Sequence, residues 1–108
     1  MIESRRTFRR LVDITATIAI GDGAPEPCHI ENLSLTGAFV SGRRMTSGDR
    51  IRLSFKLPQL EEAIESVATV RWSNGSGIGV QFDGLRARQV WALGKFFEQE
   101  TREQQARP

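Results

Sequence analysis

Between Val12 and Phe82 apolar residues recur at every second position in short runs cut by turn residues; beyond Gly84 the spacing changes to three and four. Period two belongs to a strand with one buried face, and period 3.6 to an amphipathic helix. Val12, Ile14, Ala16, Ile18 and Ile20 alternate with Asp13, Thr15 and Thr17, which predicts a first strand. Gly21 to Pro25 carry turn chemistry, and a short second strand is expected through Cys28, His29 and Ile30. Asn32 to Gly37 reads as a turn feeding a third strand over Ala38 to Ser41. Ile51, Leu53, Phe55 and Leu57 define a fourth strand, stopped by Pro58; Ala68, Val70 and Trp72 a fifth; Ile78, Val80 and Phe82 a sixth. The linker Ser73-Asn74-Gly75-Ser76-Gly77 is a strong hairpin signal. Val90, Leu93 and Phe97, broadened by Trp91 and Phe96, form a helical stripe read as core, with Asp83 as N-cap and a polar end fraying from Glu98. Six short strands and one helix predict an all-β antiparallel barrel or sandwich, with the helix closing an opening or lying across a face.

At 108 residues the chain has the size of a single domain with one core. No run approaches the ~18 apolar residues of a membrane span, the first ten residues lack an apolar leader core, and Cys28 is the only cysteine. A soluble, cytoplasmic protein without a disulfide framework is the expectation. Cys28 and His29 are each single residues of their type, so neither a metal cluster nor a Ser/His/Asp arrangement can be assembled around them, and an enzyme is not expected. Both are read as structural, and no cofactor is indicated.

The net charge is only +2, but four arginines, 5, 6, 9 and 10, fall within six residues just ahead of the first strand. Guanidiniums stay ionised and repel one another unless an anion or solvent intervenes. In an extended segment Arg6 and Arg10 lie on one side about 13 Å apart at ~3.3 Å per residue, too far to fork around one phosphate. Either the segment bends or the ligand is large. Arginine clamps phosphate bidentately and also pairs with the O6/N7 edge of guanine. About one hairpin later, Asn32 can pair along a base edge, Ser34 can donate to phosphate, and Gly37 can adopt positive φ or admit a close backbone approach.

Arg6-Thr7-Phe8-Arg9-Arg10 matches an RxxxR pattern, and Asn32-Leu33-Ser34-Leu35-Thr36-Gly37 matches D/N-x-S-x-x-G. In this order and separation the two motifs resemble those of PilZ domains, bacterial receptors for cyclic di-GMP. Val70-Arg71-Trp72 and Gly77 to Phe82 resemble the later strands of that family, so the likeness runs from about Arg5 to the final helix. Arg5 and Arg9 are also four apart; Arg6 and Arg10 are preferred because they put Phe8 where the family often has an aromatic and Leu11 where its first strand begins.

The resemblance implies a six-stranded antiparallel PilZ-type β-barrel with a C-terminal α-helix, organised as an arginine arm (1–10), a barrel (11–83) and a helix (84–102). It further implies that Arg6 and Arg10 grip guanine edges and phosphates, and that Asn32, Ser34 and Gly37 meet a guanine and the nearby ligand backbone. Arg5, directly ahead of the motif, implies a stacked dimer of cyclic di-GMP, and Arg9 is left without a role. Trp72 shares parity with Ala68 and Val70, which reads as barrel packing, whereas its family position reads as ligand stacking. The expected function is a cyclic di-GMP receptor whose arm folds over the ligand and signals to a downstream protein. The rivals are a small β-barrel binding a nucleic-acid polymer through its basic arm, and a PilZ-like adaptor working through protein contacts alone.

Overall fold

A computed structural model of the chain describes residues 9–57, 60 and 63–106. Six strands form: β1 Arg10–Ile20, β2 Glu26–Leu33, β3 Gly37–Ser41, β4 Arg50–Lys56, β5 Ala63–Ser73 and β6 Gly77–Phe82, followed by helix α1, Ala87–Ala106. All neighbours pair antiparallel, and the sheet closes in the order β1-β2-β3-β6-β5-β4, with β4 returning to β1. The architecture is therefore the barrel and not the sandwich. Closure leaves no unpaired sheet edge, and at this strand number the interior is filled by side chains.

The alternation read from sequence supplies that filling. Ile14, Ala16 and Ile18 of β1, Ile51, Leu53 and Phe55 of β4, Ala68 and Val70 of β5, and Ile78, Val80 and Phe82 of β6 all enter one core. Phe55 and Phe82 stack within it, centroids 6.3 Å apart. In the hairpin at 73–77, the Asn74 side-chain oxygen accepts from the Ser76 and Gly77 amides at 2.7 and 3.1 Å, an Asx turn that joins β5 to β6.

The second and fifth strands exceed the expected Cys28–Ile30 and Ala68–Trp72, because cross-strand pairing carries them through stretches whose own alternation is poor. The helix departs from expectation in three respects. Ala92, Leu93 and Phe96 are its buried face, while Val90 and Trp91 are exposed; Trp91 is not core. At about 100° per residue, 92, 93 and 96 form one stripe that excludes 91. Asp83 is not the N-cap. Its carboxylate accepts from the Thr69 hydroxyl at 2.9 and 3.1 Å and pairs with Arg50 at 3.3 Å, while Gly84 turns the chain at φ 105°. The helix is capped instead at Arg86, whose carbonyl accepts from the Val90 amide and whose amide donates to the Gln89 side chain at 2.9 Å, one half of a capping box. The Gln89 side-chain amide then donates to the Glu65 carbonyl at 2.9 Å and ties the helix start to β5. The backbone stays helical to Ala106 instead of fraying from Glu98 or ending at 102, in keeping with a Glu/Gln/Arg-rich tail free of Gly and Pro up to that residue.

Candidate ligand site on the barrel wall

Three irregularities in the ladder lie in neighbouring rows of the barrel. Register shifts fall between Leu11 and Ile14 on β1, between Ile30 and Asn32 on β2, and between Val70 and Trp72 on β5. A bulge adds one residue to one strand and so reverses the facing of everything beyond it. On β2, Ile30 is fully buried, Glu31 is the extra residue, and Leu33 is again fully buried; Asn32 is thereby turned to the outer wall. On β5, Val70 is fully buried and Arg71 is the extra residue, so Trp72 faces outward at 40% exposure. The packing role that parity suggested for Trp72 is thus replaced by an outer-wall position.

The register aligns these residues in one row across the sheet: Leu11 opposite Asn32, Asn32 opposite Phe39, Phe39 opposite Gly79, and Gly79 opposite Trp72. The Trp72 indole lies flat across the bare backbone of Gly79. A Cβ on Gly79 would stand 2.2 Å from Trp72 Cε2 and 2.5 Å from Nε1. Phe39 stacks against the indole, with ring centroids 5.4 Å apart and planes 22° from parallel.

A cleft of about 190 Å³ opens beside this row, lined by Arg9, Thr36, Gly37, Arg71, Trp72, Gly79, Val80 and Gln81. Among the described residues two guanidiniums and no carboxylate contribute to it, so its field favours an anion. The volume is below the ~300–1,000 Å³ of sites that enclose a whole drug-sized ligand. It suits one part of a larger molecule. A larger cleft of about 370 Å³, lined by Thr17, Ala19, Arg52, Ser54, Glu65 and Val67 among others, lies on the β1-β4-β5 side away from this row; it mixes Arg52 with Glu65 and has no aromatic.

The motif residues take distinct places. Arg5 and Arg6 lie outside the described residues. Arg10 opens β1 opposite Leu33, and Arg9, which the sequence left without a role, donates to the Asn32 side-chain oxygen at 3.0 Å and lines the cleft. Ser34 is 4% exposed and works inside the turn: its hydroxyl oxygen accepts from the Thr36 and Gly37 amides at 3.2 and 3.1 Å and lies 3.2 Å from the Gly37 carbonyl. It shapes the loop that presents Asn32 and Thr36. Gly37 does not have positive φ; its lack of a side chain lets β3 approach β6, since a Cβ there would sit 2.1 Å from the Val80 carbonyl oxygen. Arg71 and Gln81 were missed by sequence reasoning; Arg71 adjoins a motif-like Trp, but nothing in the residue string marks the bulge that turns it outward.

Elsewhere, His29 pairs with Asp13 at 2.9 Å across β1 and β2. Burial pushes the Cys28 thiol above its ordinary value, with the nearby Arg43 charge opposing the shift.

Fold and site together define a small closed β-barrel domain, capped by a C-terminal helix, that carries a cationic, aromatic-floored cleft on its outer wall. A model of the PilZ domain matches residues 3–99, and the chain belongs to that family. Among solved structures it is similar to the Bacillus subtilis inhibitor of motility MotI/DgrA, at 22% identity and a TM-score of 0.77 over 99% of this chain and 55% of that one. It is also similar to the PilZ domain of Escherichia coli YcgR with c-di-GMP, at 16% identity and 0.71 over 98% of this chain and all of that one. A third is Borreliella burgdorferi PlzA in complex with c-di-GMP, at 23% identity and 0.59 over 87% of this chain and 41% of that one. The chain therefore spans about half the length of the B. subtilis protein. No curated protein sequence matches.

Proposed function

We propose that the chain is a cyclic di-GMP receptor acting in the cytosol, and that ligand binding orders its arginine arm against the barrel wall to make a surface for a downstream protein. One observation carries this reading: two bulges turn Asn32 and Trp72 to the same outer row, beside a cleft with two arginines and no acid. A purine stacked on Trp72, its edge read by Asn32 and its phosphates met by arginine, uses each group for what it does well. YcgR and PlzA, whose folds this chain resembles, hold c-di-GMP in their structures, which supports the same ligand here.

The place of Arg9 bears on the arginine register. Arg9 lines the cleft and meets Asn32, whereas Arg10 begins the strand opposite Leu33. We therefore favour Arg5 and Arg9 as the spaced pair, with Arg6 and Arg10 adding charge. Ser4, not a basic residue, then precedes the pair, and one cyclic di-GMP per site is expected in place of the stacked dimer. Ser34 and Gly37 act in this scheme by holding the loop and the strand pairing.

Isothermal titration calorimetry with cyclic di-GMP tests the proposal. Saturable binding by the folded wild-type chain is expected, and its absence sinks the receptor reading in favour of an adaptor. In the Arg5/Arg9 register, Arg5→Ala and Arg9→Ala both abolish binding. If Arg5→Ala instead halves a stoichiometry of two, the register is Arg6/Arg10 and the ligand is a stacked dimer. A nucleic-acid polymer bound in a steeply salt-dependent way, with no response to the dinucleotide, would favour the basic-arm rival.

A further inference from the structure

Arg71 stands in the cleft but belongs to neither arginine nor Asn-Ser-Gly motif. It is the extra residue of the β5 bulge, so Arg71 and Trp72 are consecutive and both exposed, where a regular strand would have sent one of them inward. Its main chain is fixed from behind, because the Arg71 carbonyl accepts from the Ser47 hydroxyl at 3.0 Å. Three other barrel arginines are engaged: Arg43 pairs with Glu26 at 2.9 Å, Arg50 with Asp83 at 3.3 Å, and Arg52 donates to the Gly21 carbonyl at 3.2 Å. Among the described residues Arg71 has no carboxylate partner, and it shares the cleft with Arg9. Two permanent cations in so small a space, without an acid between them, repel until an anion enters.

We infer that Arg71 is a further ligand-binding residue, which holds a phosphate of the bound dinucleotide from the barrel side while a base lies on Trp72. The inference rests on the receptor reading and adds a contact that its two sequence motifs do not contain. Neighbouring Cα atoms are ~3.8 Å apart, so a base on the indole brings its own sugar-phosphate within the span of the adjacent guanidinium. With Arg9 reaching from the β1 side, the anion is met from two directions, and Trp72 sets the plane between them.

The test is calorimetry with cyclic di-GMP on the wild type, Arg71→Ala, Arg71→Lys and Trp72→Ala, each at low and high NaCl, with thermal melts of every protein. Arg71→Ala should bind about 10- to 100-fold more weakly, the range for loss of a charge-assisted hydrogen bond. It should melt with the wild type, and its affinity should respond less to salt because one ionic contact is gone. Arg71→Lys should recover part of the affinity and the salt response, since it restores charge but not the fork. If Arg71→Ala keeps wild-type affinity and salt response while Trp72→Ala binds weakly, the inference is overturned and the receptor reading stands. If Arg71→Ala and Arg71→Lys lose affinity equally and both melt early, Arg71 is structural and the inference is likewise overturned. A wild type that does not bind overturns both.

Discussion

Gly79→Ala isolates the packing that positions Trp72. In most strands this exchange is mildly favourable, because glycine loses more backbone freedom on folding, roughly 0.5–1 kcal/mol. Here the sign is reversed by geometry. The new methyl carbon would stand 2.2 Å from Trp72 Cε2, and carbon atoms settle at ~3.5–4.0 Å, so the ring must lift by about 1.3–1.8 Å. The indole is braced by Phe39, and lifting it costs that stacking, about 0.5–1.5 kcal/mol. Strain from the forced contact adds about 1–3 kcal/mol, from which the backbone gain subtracts. A net destabilisation of about 1–3 kcal/mol follows, since the exposed edge of the indole gives it somewhere to go.

Ligand affinity should fall as well, because a displaced indole no longer offers a face at the level of Asn32 and the cleft. Base stacking on an aromatic contributes about 1–3 kcal/mol, so binding weakens by about 5- to 150-fold. The assays are urea denaturation, calorimetry with cyclic di-GMP, and tryptophan emission in a Trp91→Phe background that leaves Trp72 as the sole reporter. Trp72→Ala should weaken binding by a similar factor, and the double variant little further, since both changes remove the same platform. Wild-type stability and emission in Gly79→Ala would refute the packing argument. Displaced emission with unchanged affinity would refute the stacking role of Trp72.

Ser34→Ala removes the acceptor of two amides in a buried turn, and should cost about 1–3 kcal/mol in urea denaturation, against a negligible loss if water replaces the hydroxyl. Gly37→Ala sets a methyl carbon 2.1 Å from the Val80 carbonyl oxygen, a main-chain atom that cannot swing aside. β3 and β6 must part, and the variant should lose its cooperative thermal transition or melt well below Ser34→Ala; a near-wild-type melt would contradict the tight strand approach. Burial raises the Cys28 thiol in the folded chain, so its stabilising contribution is complete below the unfolded thiol value, near 8.5, and is lost as pH rises through the folded value. The stability difference between wild type and Cys28→Ser should therefore be flat from about pH 6 to 8 and shift against the wild type above that range. A difference that changes only below neutrality would contradict the assignment.

How much of this was legible in the sequence follows from which residues keep the two-residue period. β4 repeats it without a break, from Ile51 through Phe55, and these residues face as read, although the strand ends at Lys56, before Leu57, and Pro58, read as its stop, lies outside the described residues. β1 from Ile14 to Ile18 and β6 from Ile78 to Phe82 are equally direct. The Asn74 hairpin could be read because its side chain bonds amides two and three residues on, an interaction local to the sequence. The helix cap was misread because two polar residues competed for it. Asp83 is the better N-cap by type, but Thr69 and Arg50, distant in sequence, claim its carboxylate. Placement was partly legible: Asn32 and Trp72 share the outer row, while Ser34 and Gly37 hold the adjoining turn and strand approach.

On the barrel wall, what was not legible has one physical origin. Facing is inferred by counting in twos, and a bulge of ordinary residues changes the count without any compositional mark. Glu31 and Arg71 are neither Gly nor Pro, and only the partner strand reveals that each is the extra residue. These positions are also where the outer wall departs from regular alternation. A regular strand supplies the outer wall with isolated side chains every second residue. A bulge places two successive side chains on one face, as with Arg71 and Trp72, and reorients a polar residue beside a buried one, as with Asn32 and Leu33. Deleting Glu31 or Arg71 would straighten the strand and leave Asn32 or Trp72 facing outward with its present partner, but without the second outward side chain beside it. The interruption of the pattern that identified the barrel is thus what gathers Asn32, Arg71 and Trp72 on its outer wall.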